Sequence, residues 1–179
     1  MRDAAYSSLL RGKRQQLHAR IAAVLEEQFP EAAKTRPELL AHHFAEAGLN
    51  GQAIAYLQRA GERAIEQSAY AEAVSHLTRG LELLEALPDN PERILLELDL
   101  RITLGSALMA TRGYAGAEVE ETYLRARELC RQAGEAPQLF PVLHGLYRFY
   151  HVRGSCRRHV RWGSSSSSWP KVRVTCPCS

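Results

Sequence analysis

The chain has 179 residues, enough for one domain or two small ones, with 45% hydrophobic residues, 24% charged residues and a formal net charge of +3. That sign belongs to one end: residues 151–179 carry six Lys or Arg and no acid, while the rest carries 17 basic residues against all 20 acidic ones. There is no run of 18 apolar residues and no signal-type apolar core near the start, so neither a membrane span nor secretion is expected and the chain reads as cytoplasmic.

Tyr6, Leu9, Leu10, Leu17, Ile21, Val24 and Leu25 recur at three and four residues and predict helix over 3–29, divided at Gly12 and closed by Pro30. The next predicted helix has Pro37 in its first turn, Thr35 as its cap, and runs through Leu39, Leu40, His43 and Phe44 to Gly48. A third spans Gln52 to about Gln67, turning Ile54, Leu57, Ala60, Ala64 and Ile65 inward. Ser68 is placed to cap a fourth, which carries Ala73, Val74, Leu77, Leu81 and Leu84 until Pro88. Asn90 and Pro91 start a fifth with the stripe Ile94, Leu95, Leu98, Ile102 and Leu108, ended by Gly113. Val119, Tyr123, Ala126 and Leu129 mark another that ends at Gly134, with Cys130 as a small core residue. Pro137 opens the last, through Leu139, Leu143, Leu146 and Phe149. Short links between amphipathic helices predict antiparallel neighbours in an all-α chain.

Large and small residues alternate in a grid. Leu57, Ala60, Gly61 and Ala64 are followed by Tyr70, Ala73, Leu77 and Gly80, a spacing that resembles the tetratricopeptide pattern. Leu104, Gly105, Leu108, Tyr114 and Ala117 repeat its first part 44 residues after Gly61, and Tyr123 and Ala126 then arrive about two residues late. A shifted partial copy also fits Ala41, Phe44, Ala53, Leu57 and Ala60. Because the two frames share a helix, stacking is better founded than any register, and a non-repetitive helical bundle is the competing reading.

The stretches RDAAYSSLLRGKRQQLHARIAAVLEEQFP, PELLAHHFAEAGLNGQAIAYLQRAGERAIEQSAYAEAVSHLTRGLELLEALP and LGSALMATRGYAGAEVEETYLRARELC, with the run to LYRFY, resemble the region after the ATPase in large bacterial signalling proteins. Those proteins join a class III adenylate/guanylate cyclase domain, an AAA-type ATPase and a tetratricopeptide-like array. The resemblance covers about residues 2–154. It implies an end-of-ATPase helical segment at 1–33, a stack of tetratricopeptide-like pairs (an α-solenoid fragment) at 34–154, and Met1 as a start within a longer reading frame. Its functional implication is a noncatalytic interaction or regulatory scaffold that binds a protein or peptide, or docks on ATPase and cyclase domains. The alternatives are an auxiliary part of a split cyclase or ATPase, and a nonfunctional truncation.

Residues 155–179 form an irregular, basic, serine-rich tail with no helical stripe, expected to be largely disordered. One nucleotide string can encode SCRRHVRWGSSSSSWPKVRVTCPCS and, one base out of frame, a sequence with regular helical spacing, which points to a frameshifted end. The last helix then lacks its next neighbour, and Leu143, Leu146 and Phe149 are expected to be exposed and to favour self-association.

Catalytic, cofactor and metal residues are not found. No GxxxxGK[ST] loop occurs, Gly12-Lys13 lacks its surroundings, and Asp3, Asp89 and Asp99 sit in ordinary helix or turn contexts, so no nucleotide or cyclase chemistry is expected. His42 and His43 point about 100° apart on a helix and read as one exposed and one partly buried side chain rather than a metal pair. Cys156, His159, Cys176 and Cys178 are too irregularly spaced for a zinc set. Neither the tail, with Trp162 and Trp169, nor the solvated cluster Arg11, Lys13 and Arg14 implies specific nucleic-acid binding. Polar groups such as Arg59, Arg63, Gln67 and Arg101 are the candidate interaction surface.

Overall fold

The computed structural model describes residues 2–113, 116–134 and 138–152, with side chains from Arg11 onward. Its elements are α1 Arg2–Gln28, α2 Pro30–Thr35, α3 Pro37–Glu46, α4 Asn50–Glu66, α5 Tyr70–Leu84, α6 Pro91–Arg112, α7 Ala117–Ala133 and α8 Leu139–Val152. Among the described residues the chain is all-α, as its periodicity implies. Tyr114, Pro137 and the tail fall outside them.

From α3 to α8 each helix packs on the next, and α1 packs on α3. Contacts also join α4 to α6 and α6 to α8, so these three form one row. Glycines show the direction of the pairing. A Cβ built on Gly61 would fall 2.6 Å from Leu77 Cγ, and one on Gly80 would touch Leu57. Rising numbers on α4 therefore meet falling numbers on α5, and the two helices are antiparallel.

The grid residues supply the interfaces. Ala41, Phe44, Leu57, Ala60, Gly61, Ala64, Ala73, Leu77, Gly80, Leu104, Gly105, Leu108, Tyr123 and Ala126 are buried, and Tyr70 is half-buried. The larger core runs from Ile54 through Leu77, Leu98, Leu100 and Leu129 to Phe149, and Cys130 is part of it. A smaller one joins Ala22 to Leu40, Phe44, Tyr56 and Leu57. Gly61 faces Leu77 and Gly105 faces Tyr123, so at both places a small residue on one helix meets a large one on the next. The second spacing is two residues longer, which accounts for the late arrival of Tyr123.

Tyr123 stands between α6 and α8, with Gly105 against one part of its ring and Gly145 against another. Burial pushes its phenol up to about 12, against the pull of Arg148. The folded state thus holds this proton more tightly than the unfolded chain, whose tyrosines titrate near 10. This stabilisation is complete below about pH 10, and about 2 kcal/mol of it is lost by about pH 12. Urea titrations at both ends of that range are expected to show a loss about 2 kcal/mol smaller in Tyr123→Phe than in the wild type.

Several local expectations give way. Gly12 does not divide α1, because one interior glycine costs only about 1 kcal/mol against alanine. The first segment does close just before Pro30, α1 ending at Gln28, but Pro30 also opens a further helix, α2, as its missing N–H permits in a first turn. Thr35 does not cap α3: its hydroxyl donates to the Glu31 carbonyl within α2, and Arg36 takes the cap position. Ser68 does not cap α5 either. It adopts φ 61°, and the bonds Ser68 N–H to Ile65 O and Ala69 N–H to Ala64 O close α4 from its C-terminal end. Gly48, at φ 78°, makes the same turn after α3. Asn90 does cap α6, its side-chain oxygen accepting from Arg93 N–H at 2.8 Å.

Three stripe residues, Leu17, Val24 and Leu95, are exposed rather than packed inward. On α8 the expected exposed face is in fact the packed one. Leu146 and Phe149 are buried with Val142 against α6 and α7, and Leu143 is half-buried. Phe140, Tyr147 and Val152 face out instead.

Candidate interaction surface

Where α4, α6 and α8 lie side by side, a polar seam crosses from helix to helix. Gln58 and Glu62 are one turn apart on α4, and Gln58 Nε2 donates to Glu62 Oε1 at 2.7 Å. The same amide reaches Thr103 Oγ1 on α6 at 2.8 Å. Thr103 donates in turn to the Asp99 carbonyl at 3.1 Å. Gln138, just before α8, donates to the Asp99 carboxylate at 3.4 Å. Burial and then the charge of Glu62 raise the Asp99 carboxyl above its usual range, while the Gln138 hydrogen bond opposes this. The side-chain oxygens of Gln58 and Gln138 are buried with no hydrogen-bond partner. The seam is thus rich in acceptors and carries carboxylates at two places.

The four residues singled out from sequence do not converge on it. Arg59 lays its guanidinium over the Tyr56 ring, 4.9 Å from the centroid, on the side of α4 toward α1. Arg63 donates to the Lys34 carbonyl of α2 at 3.4 Å. Gln67 is exposed at the end of α4. Arg101 bonds to Glu97 at 2.9 Å, and Arg125 of α7 holds the same carboxylate. The seam residues of α4 immediately precede Arg59 and Arg63, about 100° around the helix, and an uncertain register hid that rotation.

A second polar cluster joins α1 to α3. His42 is exposed and His43 half-buried, as expected, but His18 meets both. Its Nδ1 lies 2.9 Å from His43 Nδ1, and the centroids of the three rings lie 5.0 to 5.8 Å apart. Nothing local in the sequence pairs positions 25 residues apart. Among the described residues no group of three or more His, Cys, Asp or Glu is arranged to hold a metal ion. The tail set Cys156, His159, Cys176 and Cys178 lies outside them, as do Trp162 and Trp169. Gly12 is inside α1 rather than in a phosphate-binding loop. No described helix is long and apolar enough to cross a membrane.

An uncharacterized protein of Rhizobium meliloti (strain 1021) is 29% identical over 179 residues, covering 97% of this chain and 17% of that protein. The chain therefore spans about a sixth of the length of the relative it matches, and the match continues past Gly154 into the tail. No family model and no solved structure matches the chain.

Proposed function

We propose that this chain is a noncatalytic scaffold segment of tetratricopeptide-like helix pairs, which binds a protein or peptide within a larger nucleotide-signalling ATPase/cyclase protein. The observation that carries the reading is the seam Gln58–Thr103–Asp99–Gln138, which presents polar groups from alternate helices along one row over a packed apolar interior. A peptide laid across such a row meets several helices at once. The length of the relative, of which this chain matches 17%, supports a segment working beside other domains.

The test has two parts. Calorimetric titration with magnesium and ATP is expected to give no saturable binding, and saturable binding that requires magnesium overturns the noncatalytic assignment in favour of an auxiliary enzyme part. The ATPase module read from the same gene is expected to co-purify with the chain, and Asp99→Arg is expected to weaken that capture about tenfold, the order of one charged contact. Equal capture by the wild type and the variant removes the seam from the proposal.

A further inference from the structure

α1 is held to the stack by little apolar surface. Ala22 is its one fully buried side chain among those described, with Leu25 packed beside it on the cluster around Leu40 and Phe44. The remaining links are polar: His18 to His43 at 2.9 Å, Arg14 to Glu46 at 3.9 Å, and the Tyr56 phenol donating to Glu26 at 2.7 Å.

The imidazole pair has a built-in condition. Two Nδ1 atoms at this distance share one proton, so one nitrogen donates and the other must be bare. If both rings are protonated, two N–H groups point at each other and the bond becomes a like-charge repulsion. His42, with its ring centroid 5.4 Å from that of His43, adds a third site for positive charge. The surrounding charges do not offset this. Glu46, one turn along α3, is engaged by Arg14 of α1. From α4 the cluster with α3 receives Ala53, Tyr56 and Leu57, and the Tyr56 phenol is bonded to Glu26. On α2, Glu31 and Lys34 pair with each other in solvent.

We propose that His18, His42 and His43 form a proton-operated clasp: at neutral pH the shared proton fastens α1 to α3, and acidification breaks the bond and frees α1, uncovering the Leu40 and Phe44 side of the stack. Burial first, then the charges of His18 and His42, hold His43 below the ordinary imidazole value of 6.5. The sign follows from this depression. The contribution of His43 is fully present above about pH 6.5 and is lost as the pH falls below it toward the folded value.

Hydrogen–deuterium exchange on the whole chain, corrected for intrinsic rates, tests the clasp. Between pH 7.5 and 5.5, protection of residues 12–28 is expected to fall about tenfold while that of 53–84 stays within about twofold, the signature of a local opening. In His18→Gln and His43→Gln, which keep a hydrogen-bonding side chain but cannot titrate, the pH response of 12–28 is expected to shrink below about twofold. An unchanged wild-type α1, an equal response in both variants, or loss of protection across 53–84 as well overturns the proposal. Should a variant leave α1 unprotected at both pH values, imidazole nitrogen NMR of the wild type decides. One hydrogen-bonded Nδ1–H between the two rings at pH 7.5, lost at pH 5.5, supports the clasp, and two independently titrating rings overturn it.

Discussion

Gly145→Ala is expected to lower the stability of the chain by about 2 kcal/mol, although the same change on a solvent-facing helix would add nearly 1 kcal/mol of helix propensity. The methyl group would overlap Tyr123 Cε1 and Cζ, and the ring has no free side to retreat to, since a Cβ on Gly105 would already lie 2.5 Å from Cζ. Gly105→Ala is expected to cost a similar amount. Urea midpoints measure both. Tyr123→Leu removes the ring from the collision, so Gly145→Ala on that background is expected to cost at least about 1 kcal/mol less than on the wild type, a coupling that direct contacts of this kind show. A neutral or stabilising Gly145→Ala would mean that α7 and α8 do not approach this closely.

The second large effect concerns Glu97. Its carboxylate accepts from Arg101 on its own helix at 2.9 Å and from Arg125 of α7 at 2.9 Å and 3.2 Å, with only 12% of the side chain exposed. Glu97→Ala leaves two guanidinium groups facing each other without their shared partner and is expected to cost about 2–3 kcal/mol. Arg125→Ala, which removes the more exposed member, is expected to cost less than half of that. The group also gives a pH signature. Burial pushes the Glu97 carboxyl up, but the hydrogen bonds and charges of Arg125 and Arg101 outweigh it and the net shift is downward. Its contribution is therefore present above the ordinary value of 4.5 and disappears as the pH falls through the folded value. Acid unfolding is expected to begin at higher pH in Arg125→Ala than in the wild type, followed by circular dichroism.

Most of the helices were legible because their information is local. The stripe from Ile54 to Ala64, the cap Asn90 before Pro91, and the stops Gly113 and Gly134 each act within a few residues. The errors arose where a residue has two local roles and packing selects one. Ser68 suits an N-cap by its hydroxyl but serves as a left-handed closing residue. On α8 the periodicity correctly found Leu146 and Phe149, yet it could not say that α6 and α7 already cover them. The functional groups were less legible still. Choosing Gln58 and Glu62 over Arg59 and Arg63 requires the rotation of α4 against α6, and the encounter of His18 with His43 depends on how α1 crosses α3. The tail reading rests on nucleotides rather than on contacts.

From α3 onward the principal interfaces join elements adjacent along the polypeptide. A chain wired in this way closes only short loops as it assembles, so ordering can begin at the α4–α5 hairpin and spread outward by accretion, quickly and without a distant strand to await. Disassembly runs the same course backwards: α1, with little apolar surface to hold it, peels away while the α4–α5 pair persists.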